Sequence, residues 1–141
     1  MDLNIGAKKT IDGDQVFLIG RVLTSTDSPF VLLYDGLKKK RVKRNIKKID
    51  PTQLVAFIGS ENFIALEYPG WGKLWIRTSS IRRVRELSKD ELLNSSECIG
   101  SLLLFQHDPM PEDEHAGFFL FGMPVNLVAR LLNLEFKEQR Q

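Results

Sequence analysis

The apolar residues of this chain fall into short runs separated by turn residues, a pattern of strands more than of long helices. Val16-Phe17-Leu18-Ile19-Gly20-Arg21-Val22-Leu23 reads as a strand from its β-branched and aromatic content, and Phe30-Val31-Leu32-Leu33-Tyr34 as a second, closed by Asp35-Gly36. The turn chemistry of residues 24–29 makes these two a β-hairpin. Residues 1–15 are polar and acidic, with a turn signal at Asp12-Gly13-Asp14.

The next stretch, residues 37–48, is ambiguous on pattern alone. Val42, Ile46 and Ile49 stand at helical spacing, yet Val42, Arg44 and Ile46 fit one face of a strand. The following residues bear on the choice, because they echo what precedes them. Leu54-Val55-Ala56-Phe57-Ile58-Gly59 echoes Phe17-Leu18-Ile19-Gly20, and Phe63-Ile64-Ala65-Leu66-Glu67-Tyr68-Pro69-Gly70 echoes the strand from Phe30 to Gly36. Leu74-Trp75-Ile76-Arg77 echoes Lys40-Arg41-Val42-Lys43, and Ser80-Ile81-Arg82-Arg83-Val84 echoes Asn45-Ile46-Lys47-Lys48-Ile49. Either the region is a degenerate duplication, 16–50 and 54–86, or two β-rich stretches happen to look alike. Residues 73–78 alternate, so by analogy residues 39–44 are read as a strand. Each copy then runs strand, turn, strand, tight turn, strand and a short anchoring turn. That order resembles Sm-like small β-barrels, whose closing turn is of the type N-I-K-K-I or S-I-R-R-V, over about residues 16–86. The resemblance implies a strongly bent sheet. It also implies a basic rim that meets nucleic acid or, as in many small barrels, protein.

Farther on, Ser88-Lys89-Asp90-Glu91 is a capping box that predicts a short helix from Lys89 to about Ser95. Residues 99–106, with Leu102-Leu103-Leu104-Phe105, predict a fully buried strand, and Gly117-Phe118-Phe119-Leu120-Phe121-Gly122 its returning partner. Pro124 suits the first turn of a final helix with Val125, Val128 and Leu132 in one stripe and Leu127, Leu131 and Leu134 beside it. The expected fold is therefore mainly β, of the α+β class. It is a strongly bent antiparallel sheet or small barrel with a C-terminal β-hairpin and packed helix over 98–137, in one compact domain of residues 1–141.

Charge changes this picture more than composition does. The net charge is only +2, yet residues 1–35 carry net −2, residues 36–85 net +10 and residues 86–141 net −6. Eight of the twelve residues from 37 to 48 are Lys or Arg. A molecule with such poles can meet a polyanion on one side and a basic partner on the other, unless the poles neutralise one another within the fold. Cys98 is the single cysteine, which leaves no internal disulfide and no cysteine zinc site. No signal-peptide pattern opens the chain and no apolar run suits a membrane span, so a soluble, cytoplasmic protein is expected.

The leading candidate site is the basic row Lys38, Lys39, Lys40, Arg41, Lys43, Arg44, Lys47 and Lys48, extended by Arg77, Arg82, Arg83 and Arg85. Long cationic side chains in a row contact phosphates without reading sequence, and they equally fit an acidic protein surface. They also serve as a plain device that keeps an exposed edge strand from aggregating. No aromatic residue is interleaved in 37–48 for base stacking. In Pro69-Gly70-Trp71-Gly72, Trp71 is either an exposed interface anchor or a ring folded over the sheet end, while Trp75 belongs to the core. Residues 107–115 hold His107, Asp108, Glu112, Asp113, Glu114 and His115. Their spacing matches no established metal pattern, and the prolines favour a stiff acidic prong suited to a protein contact. Cys98 reads as a small buried hydrophobe. No phosphate loop, nucleophile elbow or cofactor motif is present.

The expectation is a non-catalytic regulatory binding protein without cofactor or metal, docking on a transcription or other nucleic-acid-handling machine. Its size and charge poles are in the style of phage-encoded modulators of host machinery. A direct, sequence-indifferent DNA or RNA binder and a structural or assembly subunit are the alternatives.

Overall fold

The computed structural model describes residues 2–6, 9–22, 29–46, 49–68, 72–110 and 116–133. They form an antiparallel, mainly β architecture of the α+β class, in two compact units, Met1–Ser79 and Ser80–Gln141.

In the first unit, β1 (Asp2–Gly6) and β2 (Lys9–Asp12) make a two-stranded ladder. A 3-10 turn at Gly13–Gln15, capped by Asp12 Oδ1 accepting from the Asp14 amide at 3.0 Å, leads into β3 (Val16–Val22). β3 pairs with β4 (Phe30–Asp35), and β4 with β5 (Lys40–Asn45), so the basic stretch is indeed extended. After α1 (Pro51–Ile58), a second hairpin is built from β6 (Phe63–Tyr68) and β7 (Gly72–Arg77), and β7 joins β3. The strand order is β5-β4-β3-β7-β6, an open sheet with β5 and β6 at its edges. The barrel alternative is thus not formed.

The alternation along the strands explains the core. Val16, Ile19, Val31, Leu33 and Trp75 share a cluster with Leu54, Val55 and Ile58 of α1, and Val42 and Ile49 pack against it. Leu18, Leu66, Leu74 and Ile76 lie on the opposite face and are buried as well.

The segment from Leu54 to Gly59 is a helix and not the strand expected from its echo of β3. Asp50 caps it, its carboxylate accepting from the Thr52 amide at 3.1 Å, Pro51 starts it, and Gly59 at φ 127° ends it. Leu54, Val55 and Ile58 then fall on one helical face, although the unbroken apolar run from Leu54 to Ile58 reads equally as a buried strand. The other end of the supposed second copy differs too. Residues from Ile81 onward are not an anchoring turn but a strand of the second unit, so the unit boundary falls inside residues 54–86.

The second unit is a three-stranded sheet ordered β10-β9-β8, of β8 (Ile81–Glu86), β9 (Gly100–Phe105) and β10 (Phe118–Phe121). β9 is central and all six of its residues are buried, as its continuous apolar run predicts. The capping box forms at α2 (Lys89–Leu92), shorter than expected. α3 (Val125–Leu131) starts after Pro124 and packs on β8 and β9, with Val128, Ala129 and Leu132 buried. Leu131, placed beside the stripe, is instead exposed, and Leu134 lies outside the described residues. Cys98 is also exposed, not buried, because it sits before β9 begins. Among the described residues no helix is long and apolar enough to cross a membrane.

Candidate functional site

The β4–β5 hairpin gathers the basic row. Its turn, residues 36–39, is built around Asp35, whose Oδ1 accepts from the amides of Leu37 at 3.0 Å and Lys38 at 3.2 Å. Lys39 closes the turn in the left-handed region at φ 51°. The tip carries Leu37, 98% exposed, beside Lys38 and Lys39, both exposed. A fully bared leucine within a cationic turn was not foreseen in the sequence.

The register then distributes the strand's cations. Val42 lies opposite Leu33 and Arg44 opposite Val31, so Lys40, Val42 and Arg44 share the face that α1 covers. Arg41 lies opposite Tyr34 and Lys43 opposite Leu32, on the other face. There the Arg41 guanidinium sits 5.2 Å from the Phe17 ring centre and the Lys43 ammonium 4.8 Å from that of Phe30. Each such contact is worth about 0.5–1 kcal/mol at an exposed site and holds the cation against the sheet. Gly20 makes this possible: it lies opposite Phe30, and a Cβ there would collide with the ring. The aromatics missing from residues 37–48 are thus supplied by the neighbouring strands, and they serve as platforms for cations. Strand pairing carries that signal, not linear spacing.

Among the described residues no carboxylate lies within ion-pair distance of Lys38, Lys39, Lys40, Lys43 or Arg44. The four arginines expected to extend the face are placed otherwise. Arg77, on β7, donates from Nε to the Val16 carbonyl at 2.7 Å and from Nη2 to that of Gly13 at 2.8 Å. It also covers the Phe63 ring at 4.9 Å, and burial lowers its pKa against the opposing pull of Asp14. Arg82 donates to the Asp108 carbonyl at 2.8 Å. Arg85 grips Glu91 with two bonds of 2.8 and 2.9 Å and donates to the Glu86 carbonyl. The Arg85 bond, with smaller help from Ser88, draws the Glu91 carboxyl down to about 2. Arg83 is exposed. Arg82, Arg83 and Arg85 belong to the second unit, and Arg82 and Arg85 hold that unit together.

Lys47, Lys48, Trp71, Glu112, Asp113, Glu114 and His115 lie outside the described residues. Trp75 is core, as expected, with the Lys73 ammonium 5.3 Å from its ring centre. At the head of the acidic loop, the His107 ring stacks on Phe105 at 5.7 Å, and Asp108 Oδ2 accepts from the Phe105 amide at 2.7 Å. His107 Nε2 is 3.8 Å from Asp108 Oδ1, too far for a hydrogen bond. Among the described residues no cluster of His, Cys, Asp and Glu is arranged to hold a metal.

The hairpin therefore offers cations in two rows, one on each face of an edge strand, and a lysine-flanked leucine at its tip. This arrangement presents positive charge on both faces of the sheet edge. No family model matches the chain, and neither curated proteins nor solved structures give a match.

Proposed function

We propose that this protein is a non-catalytic regulatory binding module of the cytoplasm that docks on a transcription or other nucleic-acid-handling complex. The β4–β5 hairpin is its docking element, and an acidic protein surface is what it meets. One observation carries the reading. Lys40, Lys43 and Arg44 stand exposed on an open sheet edge with no carboxylate in reach among the described residues, Arg44 making only a long 3.4 Å bond to the neighbouring Lys43 carbonyl, whereas Arg77, Arg82 and Arg85 hold oxygens of distant residues at 2.7–2.9 Å. Exposed cations without an internal carboxylate break no ion pair when they meet an external one.

A direct nucleic-acid contact is the second reading, favoured by Lys38, Lys39 and Lys40 in succession at the turn, a row that would release counterions from phosphates. Affinity capture from lysate, with and without nuclease, separates the two. Docking predicts a protein partner retained after nuclease and lost when Lys40, Lys43 and Arg44 are changed to Glu. Retention that vanishes with nuclease would replace it by the second reading.

A further inference from the structure

We infer that the open edge of β5 takes up an extended acidic peptide segment of the partner as an added sixth strand. The inference rests on the docking reading above and specifies its geometry. β5 pairs with β4 without a bulge from Asp35↔Lys40 to Phe30↔Asn45, and it borders no further strand among the described residues. The Ile46 amide donates to the Pro29 carbonyl at 2.8 Å, which fixes the phase of the ladder. In antiparallel pairing, hydrogen-bonded and non-bonded positions alternate. Arg44, Val42 and Lys40 therefore bond β4, while the N–H and C=O groups of Lys43 and Asn45 point to the open edge, where the Lys43 carbonyl accepts only a long 3.4 Å bond from the Arg44 guanidinium, which an incoming amide can displace. No proline blunts this edge.

Peptide is favoured over nucleic acid because the edge presents carbonyls as well as amides, and a phosphate backbone supplies no matching row of donors. The cations also stand on both faces of the strand, whereas a duplex would press against one. A strand of alternating carboxylates finds Lys40 or Arg44 on one face, or Arg41 and Lys43 on the other, and meets Val42 at its centre. A second copy of β5 is a poor occupant, since like charges would oppose one another. Main-chain bonds would supply affinity and the charges selectivity, as in other strand-addition complexes.

The test uses the full chain, isotopically labelled, with a short fluorescent peptide of alternating Glu and Val. The same peptide N-methylated at alternate amides and single- and double-stranded oligonucleotides serve as controls. Strand addition predicts that N-methylation weakens binding about tenfold, the worth of one to two hydrogen bonds. It predicts that amide exchange slows at Lys43 and Asn45 and changes little at Val42 and Arg44, which already bond β4. Asn45→Pro, which removes an outward amide without touching charge, should lose as much; if it fails to fold, the N-methylated peptide still decides. Equal binding of both peptides, or unchanged exchange at Lys43 and Asn45, would overturn strand addition and leave docking standing. Binding of oligonucleotide in place of either peptide would overturn both.

Discussion

β5 and β8 are two edge strands of six residues with nearly the same chemistry and different surroundings. One reads Lys-Arg-Val-Lys-Arg-Asn, the other Ile-Arg-Arg-Val-Arg-Glu. In β8, α2 follows within three residues and brings Glu91 to Arg85, and the turn after β9 brings the Asp108 carbonyl to Arg82. In β5, Asp35 is the acid just across the turn, and it accepts from the backbone amides of the turn itself. Lys40, Lys43 and Arg44 are left without a carboxylate among the described residues. A basic strand is therefore a brace, or is left with its cations unclaimed as the docking proposal requires, according to what its neighbours offer. Cation count alone does not distinguish them.

Reversing charge on each strand separates the two edges most strongly. Lys43→Glu with Arg44→Glu should weaken the captured partner about a hundredfold or more, since like-charge juxtaposition costs several kcal/mol. Thermal stability should fall by no more than about 1 kcal/mol, the worth of the lost Lys43–Phe30 contact. Arg82→Glu with Arg85→Glu should do the converse, lowering the unfolding midpoint while the folded protein still binds. Titration calorimetry and thermal unfolding on both variants check this. Loss of binding from the β8 pair with stability intact would erase the distinction.

A gentler test on the brace is Arg82→Met, which keeps the aliphatic stem and removes the bond to the Asp108 carbonyl. Asp108 is only 7% exposed, so a carbonyl left without its donor costs about 1–3 kcal/mol. Chemical denaturation should register that loss with binding unchanged. On the binding side, Asp35→Ala removes two turn bonds, an effect of about 1 kcal/mol or less in the folded hairpin. Partner affinity should fall only severalfold, since the cations remain and only their presentation loosens.

How much of this was legible in the chain follows from what each signal encodes. The buried run of β9 and the hairpin of β3 and β4 were legible because period and turn residues specify them locally. The capping box at Ser88 was legible for the same reason, and both its bonds form, Ser88 Oγ accepting at 3.2 Å and Glu91 Oε1 at 2.8 Å. α1 was missed because Leu54-Val55-Ala56-Phe57-Ile58 is an unbroken apolar run, which periodicity alone does not assign, although Asp50-Pro51 before it is a helix start. The site divides likewise. That the row from Lys38 to Arg44 is basic, and extended once past the turn, could be read. That Phe17 and Phe30 hold Arg41 and Lys43, and that Arg77 holds the Gly13 and Val16 carbonyls, depends on pairings as much as 64 residues apart in sequence.

The smallest effect is the most diagnostic of the brace. Glu91 has its pKa drawn from the ordinary 4.5 to about 2, chiefly by the Arg85 hydrogen bonds. The folded state therefore binds its proton less readily than the unfolded chain. The pair's contribution is complete above about pH 4.5, declines as pH falls, and is gone below about pH 2. Both side chains are about a quarter exposed, so the contribution should stay under about 1 kcal/mol and shrink with added salt. Glu91→Gln isolates it, because glutamine can still serve the capping box. The wild type and this variant should differ in unfolding midpoint at neutral pH and converge toward pH 2. The pair Lys43→Gln and Arg44→Gln, on the strand that has no such acid among the described residues, should show no gap that closes over this window. A gap there of equal size would mean that β5 too is braced by a carboxylate, and the contrast between the two edges would go with it.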